Sequence, residues 1–187
     1  MYNWVDRERQ QNRSGETAER NLPWMLPISA EDNSDGLALS NPSKIENEEK
    51  RETTRVVLAE DHPRVRAGIR ALLEKYPDIT VVGEADNGRQ ALSLVETLSP
   101  DVLVLDLEMP ILNGVQVADE LRAKEIQVHI LVLSAYNDRQ YVVSMLNRGV
   151  DGYLTKEEAP RILIKAIRGV ARGEQGWVSK QATQGKN

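Results

Sequence analysis

Four short apolar runs in this chain each lead to a residue able to do chemistry. Val56-Val57-Leu58-Ala59 is followed by Glu60-Asp61, Val102 to Leu105 by Asp106, Ile130-Leu131-Val132-Leu133 by Ser134, and Gly152-Tyr153-Leu154 by Lys156. If these runs are parallel strands of one sheet, Glu60, Asp61 and Asp106 converge in a crevice at the carboxyl ends. Three adjacent carboxylates repel one another unless a cation binds or one carboxyl keeps its proton. Oxygen-only ligands without His or Cys suit Mg2+, which takes one or two carboxylates, keeps several waters and is completed by phosphate oxygens. Lys156 adds a compact positive charge for a phosphate oxygen, and Ser134 adds a hydroxyl donor. The residue types therefore point to Mg2+ and, through it, to phosphoryl chemistry. Taken singly they are ordinary: Asp106 a turn or capping residue, Glu60-Asp61 a cap for a helix starting near Pro63, Ser134 a turn hydroxyl, Lys156 a surface lysine. His62 falls in a first helical turn with no second histidine near it, and reads as a solvated residue or one behind the ligands.

The elements that must position these residues can be read from periodicity. The four runs and a fifth, Ile79-Thr80-Val81-Val82, are too apolar for strands with one wet face, so helices should cover both faces of a parallel sheet. Between and after them apolar residues recur at helical spacing: Val65, Ile69 and Leu72; Ala91, Leu94, Val95 and Leu98; Val117 and Leu121; Val142, Met145 and Leu146; Leu163, Ala166, Ile167 and Val170. Pro63 opens the first helix, and Gly149 follows the fourth as a C-terminal stop. The expected fold is α/β, a flavodoxin-like (βα)5 doubly wound parallel sheet of strand order 2-1-3-4-5, with its ligand crevice between strands one and three.

Residues 1–54 hold only seven Leu, Ile and Val and no Phe, too little apolar surface to bury a core. They read as a disordered N-terminal extension, residues 55–178 as the folded domain, and 179–187 as a short C-terminal tail. Within the extension Asn21–Ile28, NLPWMLPI, is an apolar island held extended by its prolines. It reads as an incidental cluster, with a docking peptide as the alternative. The chain of 187 residues has a net charge of −5 and no basic patch, so direct nucleic-acid binding is not expected. Zero cysteines exclude disulfides and thiol catalysis, and no apolar run approaches the roughly 18 residues of a membrane span. A cytoplasmic protein is expected.

The stretches Leu58-Ala59-Glu60-Asp61-His62-Pro63, Asp106-Leu107-Glu108-Met109-Pro110 with Asn113-Gly114, Leu133-Ser134-Ala135, and Gly152-Tyr153-Leu154-Thr155-Lys156 together resemble the receiver domain of bacterial two-component response regulators. The resemblance covers residues 55–178. It implies that Asp106 is the phosphoacceptor, served by the phosphohistidine of a histidine kinase or phosphotransfer protein. It also implies that Glu60, Asp61, Asp106 and the main-chain carbonyl of Glu108 hold Mg2+. By the same resemblance Ser134 and Lys156 contact the phosphoryl oxygens, Ala135 leaves room for the donor, and Tyr153 is the aromatic switch. Glu rather than Asp at position 60 is a variant that leaves these assignments standing.

The stretch Asp151 to Ala182 resembles the subgroup of regulators whose receiver precedes a helix-turn-helix output domain. Only 31 residues follow Lys156, too few for that domain, so a stand-alone receiver is expected, with a truncated DNA-binding regulator as the alternative. The expected function is a phosphorylation-dependent switch whose output is binding of an effector protein, a phosphorylation-dependent homodimer being one form it can take. Its only catalysis would be its own phosphorylation and dephosphorylation, so it is not expected to be an enzyme. The competing reading is an unphosphorylated receiver-like scaffold, which has no physical need to keep three repelling carboxylates together.

Overall fold

A computed structural model describes residues 53–180; most of the expected N-terminal extension, including the Asn21–Ile28 island, lies outside them. Among the described residues six strands and five helices alternate: β1 (Thr54–Ala59), α1 (Pro63–Leu73), β2 (Ile79–Ala85), α2 (Gly88–Leu98), β3 (Val102–Leu105), α3 (Gly114–Ala123), β4 (His129–Ser134), α4 (Arg139–Leu146), β5 (Gly152–Thr155), α5 (Ala159–Ala171) and β6 (Trp177–Val178). The sheet runs β2-β1-β3-β4-β5-β6, and every neighbouring pair is parallel. The first five strands thus take the expected order, with the winding reversal between β1 and β3.

Alternation along the strands divides the core into two layers. Val56, Leu58, Val102, Val104, Leu131, Leu133 and Leu154 face α1 and α5, where they meet Ile69, Leu73, Leu163, Ile167 and Val170. Val57, Leu103, Leu105, Ile130, Val132 and Tyr153 face α2, α3 and α4, against Ala91, Val95, Val117, Leu121, Val142 and Met145. Because both faces are covered, only the ends of the strands are left for polar side chains, and the carboxyl ends carry the site. Helix starts are set locally. Pro63 opens α1, the Asn87 side chain accepts from the Gln90 N–H at α2, Asn113 and Gln116 form a capping box at α3, and Asp138 accepts from the Gln140 N–H at α4. Gly149 takes a φ of 75° just past α4, the left-handed stop its position suggested.

β6 is a sixth strand beyond the five expected from the sequence. Its two residues are too few to show a period, and it exists because the chain after α5 turns back along β5, pairing Trp177 with Gly152 and Val178 with Tyr153. Ser179, assigned to the tail from sequence, is buried; its N–H donates to the Tyr153 carbonyl at 3.1 Å and its Oγ accepts from the Thr155 N–H at 3.2 Å. The Trp177 indole lies directly on Gly169 of α5, where an added Cβ would stand 2.4 Å from Nε1. Gly169→Ala is therefore expected to destabilise the domain by about 1–3 kcal/mol in urea unfolding. Unchanged stability would mean that the indole is not seated on α5.

Candidate functional site

The β1 ladder and the first turn of α1 place Glu60 and Asp61. Glu60 N–H donates to the Ala85 carbonyl at 3.0 Å, and Arg66 of α1 donates to the Glu60 carbonyl at 2.6 Å, which fixes the loop. Asp106 follows β3, with its own N–H on the Ala59 carbonyl at 2.9 Å. Gly114 opens α3 against this backbone: a Cβ there would sit 2.2 Å from the Asp106 carbonyl oxygen, so glycine is required at 114 by close approach. Lys156 follows β5, with its N–H on the Ser134 carbonyl at 2.8 Å. Four loops thus arrive at one point by main-chain bonds.

The side chains meet there. Lys156 Nζ lies 2.7 Å from Glu60 Oε2 and 2.9 Å from Asp106 Oδ2, while Asp106 Oδ1 accepts from the Leu107 N–H at 2.7 Å. Glu60 is 1% exposed and Asp106 2%, so neither carboxylate is screened by water. Burial pushes the Asp106 carboxyl up from its ordinary 3.8 to about 7, Glu60 adds to the rise, and Lys156 opposes it. Burial works against the Lys156 charge, but Asp106 and Glu60 outweigh it and raise its pKa. One ammonium does not neutralise the acids around it.

The chemistry of that donor set fits a hard divalent cation. Among the described residues, Glu60, Asp61, His62 and Asp106 can each present a ligand atom, all within 4.8 Å of one another. Asp61 Oδ1 is a buried oxygen that receives no hydrogen bond. His62, read from sequence as solvated or behind the ligands, is 64% exposed yet turns Nδ1 to within 2.7 Å of Asp61 Oδ1.

On the β4 side a second network adjoins the first. Ser134 is fully buried, and its Oγ accepts from the Tyr136 N–H at 3.1 Å. Tyr153 is likewise fully buried; its hydroxyl donates to the Tyr136 carbonyl at 3.1 Å, and burial pushes its pKa up to about 12. The Tyr136 ring stacks on Tyr141 of α4, centroids 5.8 Å apart, and its hydroxyl donates to the Glu108 carboxylate. Tyr136 and the Glu108 side chain were not singled out from the sequence, where Glu108 stood only for its carbonyl. The available signal was an aromatic two positions after Ser134 facing an acid two positions after Asp106.

The family model for the response regulator receiver domain matches residues 56–168. Nitrate/nitrite response regulator protein NarL of Escherichia coli (strain K12) is 46% identical over 123 residues, which make up 66% of this chain and 57% of that protein. Transcriptional regulatory protein DegU of Brevibacillus brevis is 38% identical over 118 residues, 63% of this chain and 50% of that one. The chain spans about half the length of these curated relatives. Among solved structures, a LuxR-family two-component response regulator from Aurantimonas sp. SI85-9A1 aligns at 30% identity and a TM-score of 0.66, covering 71% of this chain and 94% of that one. The isolated REC domain of RcsB from Salmonella enterica serovar Typhimurium, determined with phosphomimetic BeF3−, aligns at 27% identity and a TM-score of 0.65, covering 71% and 97%.

Because the folded-state pKa of Asp106 is raised to about 7, the favourable state of this carboxyl is the protonated one, and its contribution to stability is lost as pH rises through that value. Lys156→Met removes the ammonium that opposes the rise. The variant is expected to lose about 3–5 kcal/mol in urea unfolding at pH 9, and markedly less at pH 6, where Asp106 carries its proton. A penalty equal at both pH values would show that Lys156 does not compensate Asp106.

Proposed function

The chain belongs to the response regulator receiver domain family, and we propose that within it Asp106 is the phosphoacceptor, served by the phosphohistidine of a histidine kinase or phosphotransfer protein. The observation that carries this reading is the setting of Asp106. It is a buried carboxylate at a strand end, 2.9 Å from a lysine shared with Glu60, in a site short of positive charge. Such a group is poised to exchange its proton for an electrophile.

In the proposed step one Asp106 oxygen attacks phosphorus in line with the donor's P–N bond. The O–P bond forms as the P–N bond breaks, the imidazole leaves with the electron pair, and the proton that Asp106 gives up passes to that imidazole. Glu60, Asp61, Asp106 and the main-chain carbonyl of Glu108 would hold Mg2+, which when bound supplies positive charge toward the phosphoryl oxygens. Lys156 needs only to pivot from the Asp106 oxygen onto a phosphoryl oxygen. Ser134 uses its Oγ as an acceptor for Tyr136, so its hydroxyl proton is the group to donate to the phosphoryl.

That donation supplies the proposed switch. The aspartyl phosphate adds up to about two negative charges, and drawing Ser134 Oγ toward them shifts Tyr136, which holds Tyr153 through its carbonyl and Glu108 through its hydroxyl. The Tyr153 ring lies inside the fold, so the proposed switch moves populations between arrangements of Tyr136 and α4 around it. The output is a protein-binding face on α4, β5 and α5, in a cytoplasmic setting, with homodimerisation as one form it can take. Among the described residues no helix is long and apolar enough to cross a membrane. The protein is not proposed to turn over any other substrate.

The test is incubation with acetyl phosphate and Mg2+, followed by scoring of a hydroxylamine-labile phosphoryl label on the wild type and on Asp106→Asn. The wild type is expected to take about one label per chain and the variant none. An unlabelled wild type, or a labelled variant, would reject the assignment.

A further inference from the structure

We propose that His62 is a direct ligand of the divalent cation at this site, so that the protein binds Co2+ and Mn2+ in preference to Mg2+ by a margin that His62 sets. The inference rests on the phosphoacceptor reading above, since it takes Glu60, Asp61 and Asp106 as the carboxylate ligands. It goes beyond that reading by adding a nitrogen donor to a site otherwise built from oxygen.

The placement of His62 begins with its neighbour. A residue before proline is held out of the helical region, and His62 takes a φ of −77° and ψ of 112° as the N-cap of α1, with Pro63 opening the helix. An N-cap side chain ordinarily accepts from the free N–H groups of the first turn, but His62 makes no such cap bond. Its imidazole instead lies over the end of β1, with Nδ1 2.7 Å from Asp61 Oδ1 and 3.4 Å from Glu60 Oε1. The imidazole is therefore not used by the helix and is turned to the acids.

The spacing of the donor atoms suits one small ion. Bonds of about 2.1 Å in an octahedral sphere place adjacent ligand atoms about 3 Å apart and opposite ones about 4.2 Å apart. The atoms offered by Glu60, Asp61, His62 and Asp106 all fall within 4.8 Å of one another, a spread of the same order as that sphere. Asp61 Oδ1, the oxygen nearest to Nδ1 in this group of contacts, is buried without a hydrogen bond, so the His62 contact does not satisfy it as a donor would. A cation between the two groups would satisfy both. The main alternative is a surface ion pair between His62 and Asp61, which would leave metal preference unchanged.

The consequence is selectivity. Carboxylate, carbonyl and water oxygens favour Mg2+, whereas an imidazole nitrogen adds affinity for the later first-row ions, in the order Mn2+ below Co2+. The chain has only two histidines, His62 and His129, and His129 sits at the opposite end of the sheet, paired with Asp151 at 3.1 Å. Any histidine nitrogen seen by a bound metal can therefore be assigned with two variants.

The experiment uses the full chain without an affinity tag. Mg2+, Mn2+ and Co2+ are titrated calorimetrically into the wild type, His62→Ala, His62→Gln and His129→Ala, and pulsed electron paramagnetic resonance of bound Mn2+ reports any coordinated 14N. Expected are Co2+ binding at least about tenfold tighter than Mg2+ in the wild type and His129→Ala, a loss of about tenfold in Co2+ affinity in both His62 variants, and Mg2+ affinity within about twofold throughout. The 14N modulation should be present in the wild type and His129→Ala and absent when His62 is replaced. Equal Co2+ to Mg2+ ratios in the wild type and the His62 variants, or no 14N modulation, would overturn the role of His62 while Mg2+ binding leaves the phosphoacceptor reading intact. Absence of binding by all three ions would overturn both.

Discussion

Everything at this site follows from one buried arrangement: an ammonium, Lys156, held between two carboxylates, Glu60 and Asp106, at the carboxyl ends of β5, β1 and β3. Removing three charges from water is costly, and a single cation between two anions with a third acid beside them leaves the set negative. The fold tolerates this only because the surrounding strands are locked in place by apolar burial on both faces. The sheet is rigid scaffolding for an electrostatic deficit. That deficit is the physical ground for the divalent cation and the phosphoryl group proposed for this site.

A chain of main-chain and side-chain hydrogen bonds leads away from this arrangement. Lys156 is tied through its N–H to Ser134, and Ser134 through its Oγ to Tyr136. Tyr136 reaches Tyr153 through its carbonyl and the β3–α3 loop through Glu108. On the far side of β5, Ser179 bonds to Tyr153 and Thr155, so the segment entering and leaving β6 is hydrogen-bonded to the strand that carries Lys156. β5, which leads into Lys156, is thereby hydrogen-bonded to polar groups on both of its neighbours. The short β6 covers what would otherwise be the free edge of the sheet.

Much of this was legible in the sequence because burial writes itself in composition. Runs such as Val102 to Leu105 have no polar position, which only a strand covered on both faces requires, and the residues that end those runs are the ones that converge. The family resemblance adds proposed roles that spacing alone does not suggest, such as that of the Glu108 carbonyl. What escaped reading depends on three-dimensional approach rather than period. β6 has two residues and is defined by a glycine on another helix that admits Trp177. The Tyr136–Glu108 contact joins residues 28 positions apart whose types each suit an exposed loop. The spacing reads His62 as solvated, and by exposure it is, yet its Nδ1 lies 2.7 Å from Asp61 Oδ1.

The most direct measurement is a 13C NMR titration of the Asp106 side-chain carboxyl, assigned by comparison with Asp106→Asn, in metal-free protein and in the presence of saturating Mg2+. The buried, undercompensated triad predicts a midpoint near 7 without metal and a fall of two or more units when Mg2+ is bound, about a hundredfold or more in proton affinity. A metal-free midpoint at the ordinary carboxylate value near 3.8, or one that Mg2+ leaves unmoved, would contradict the account.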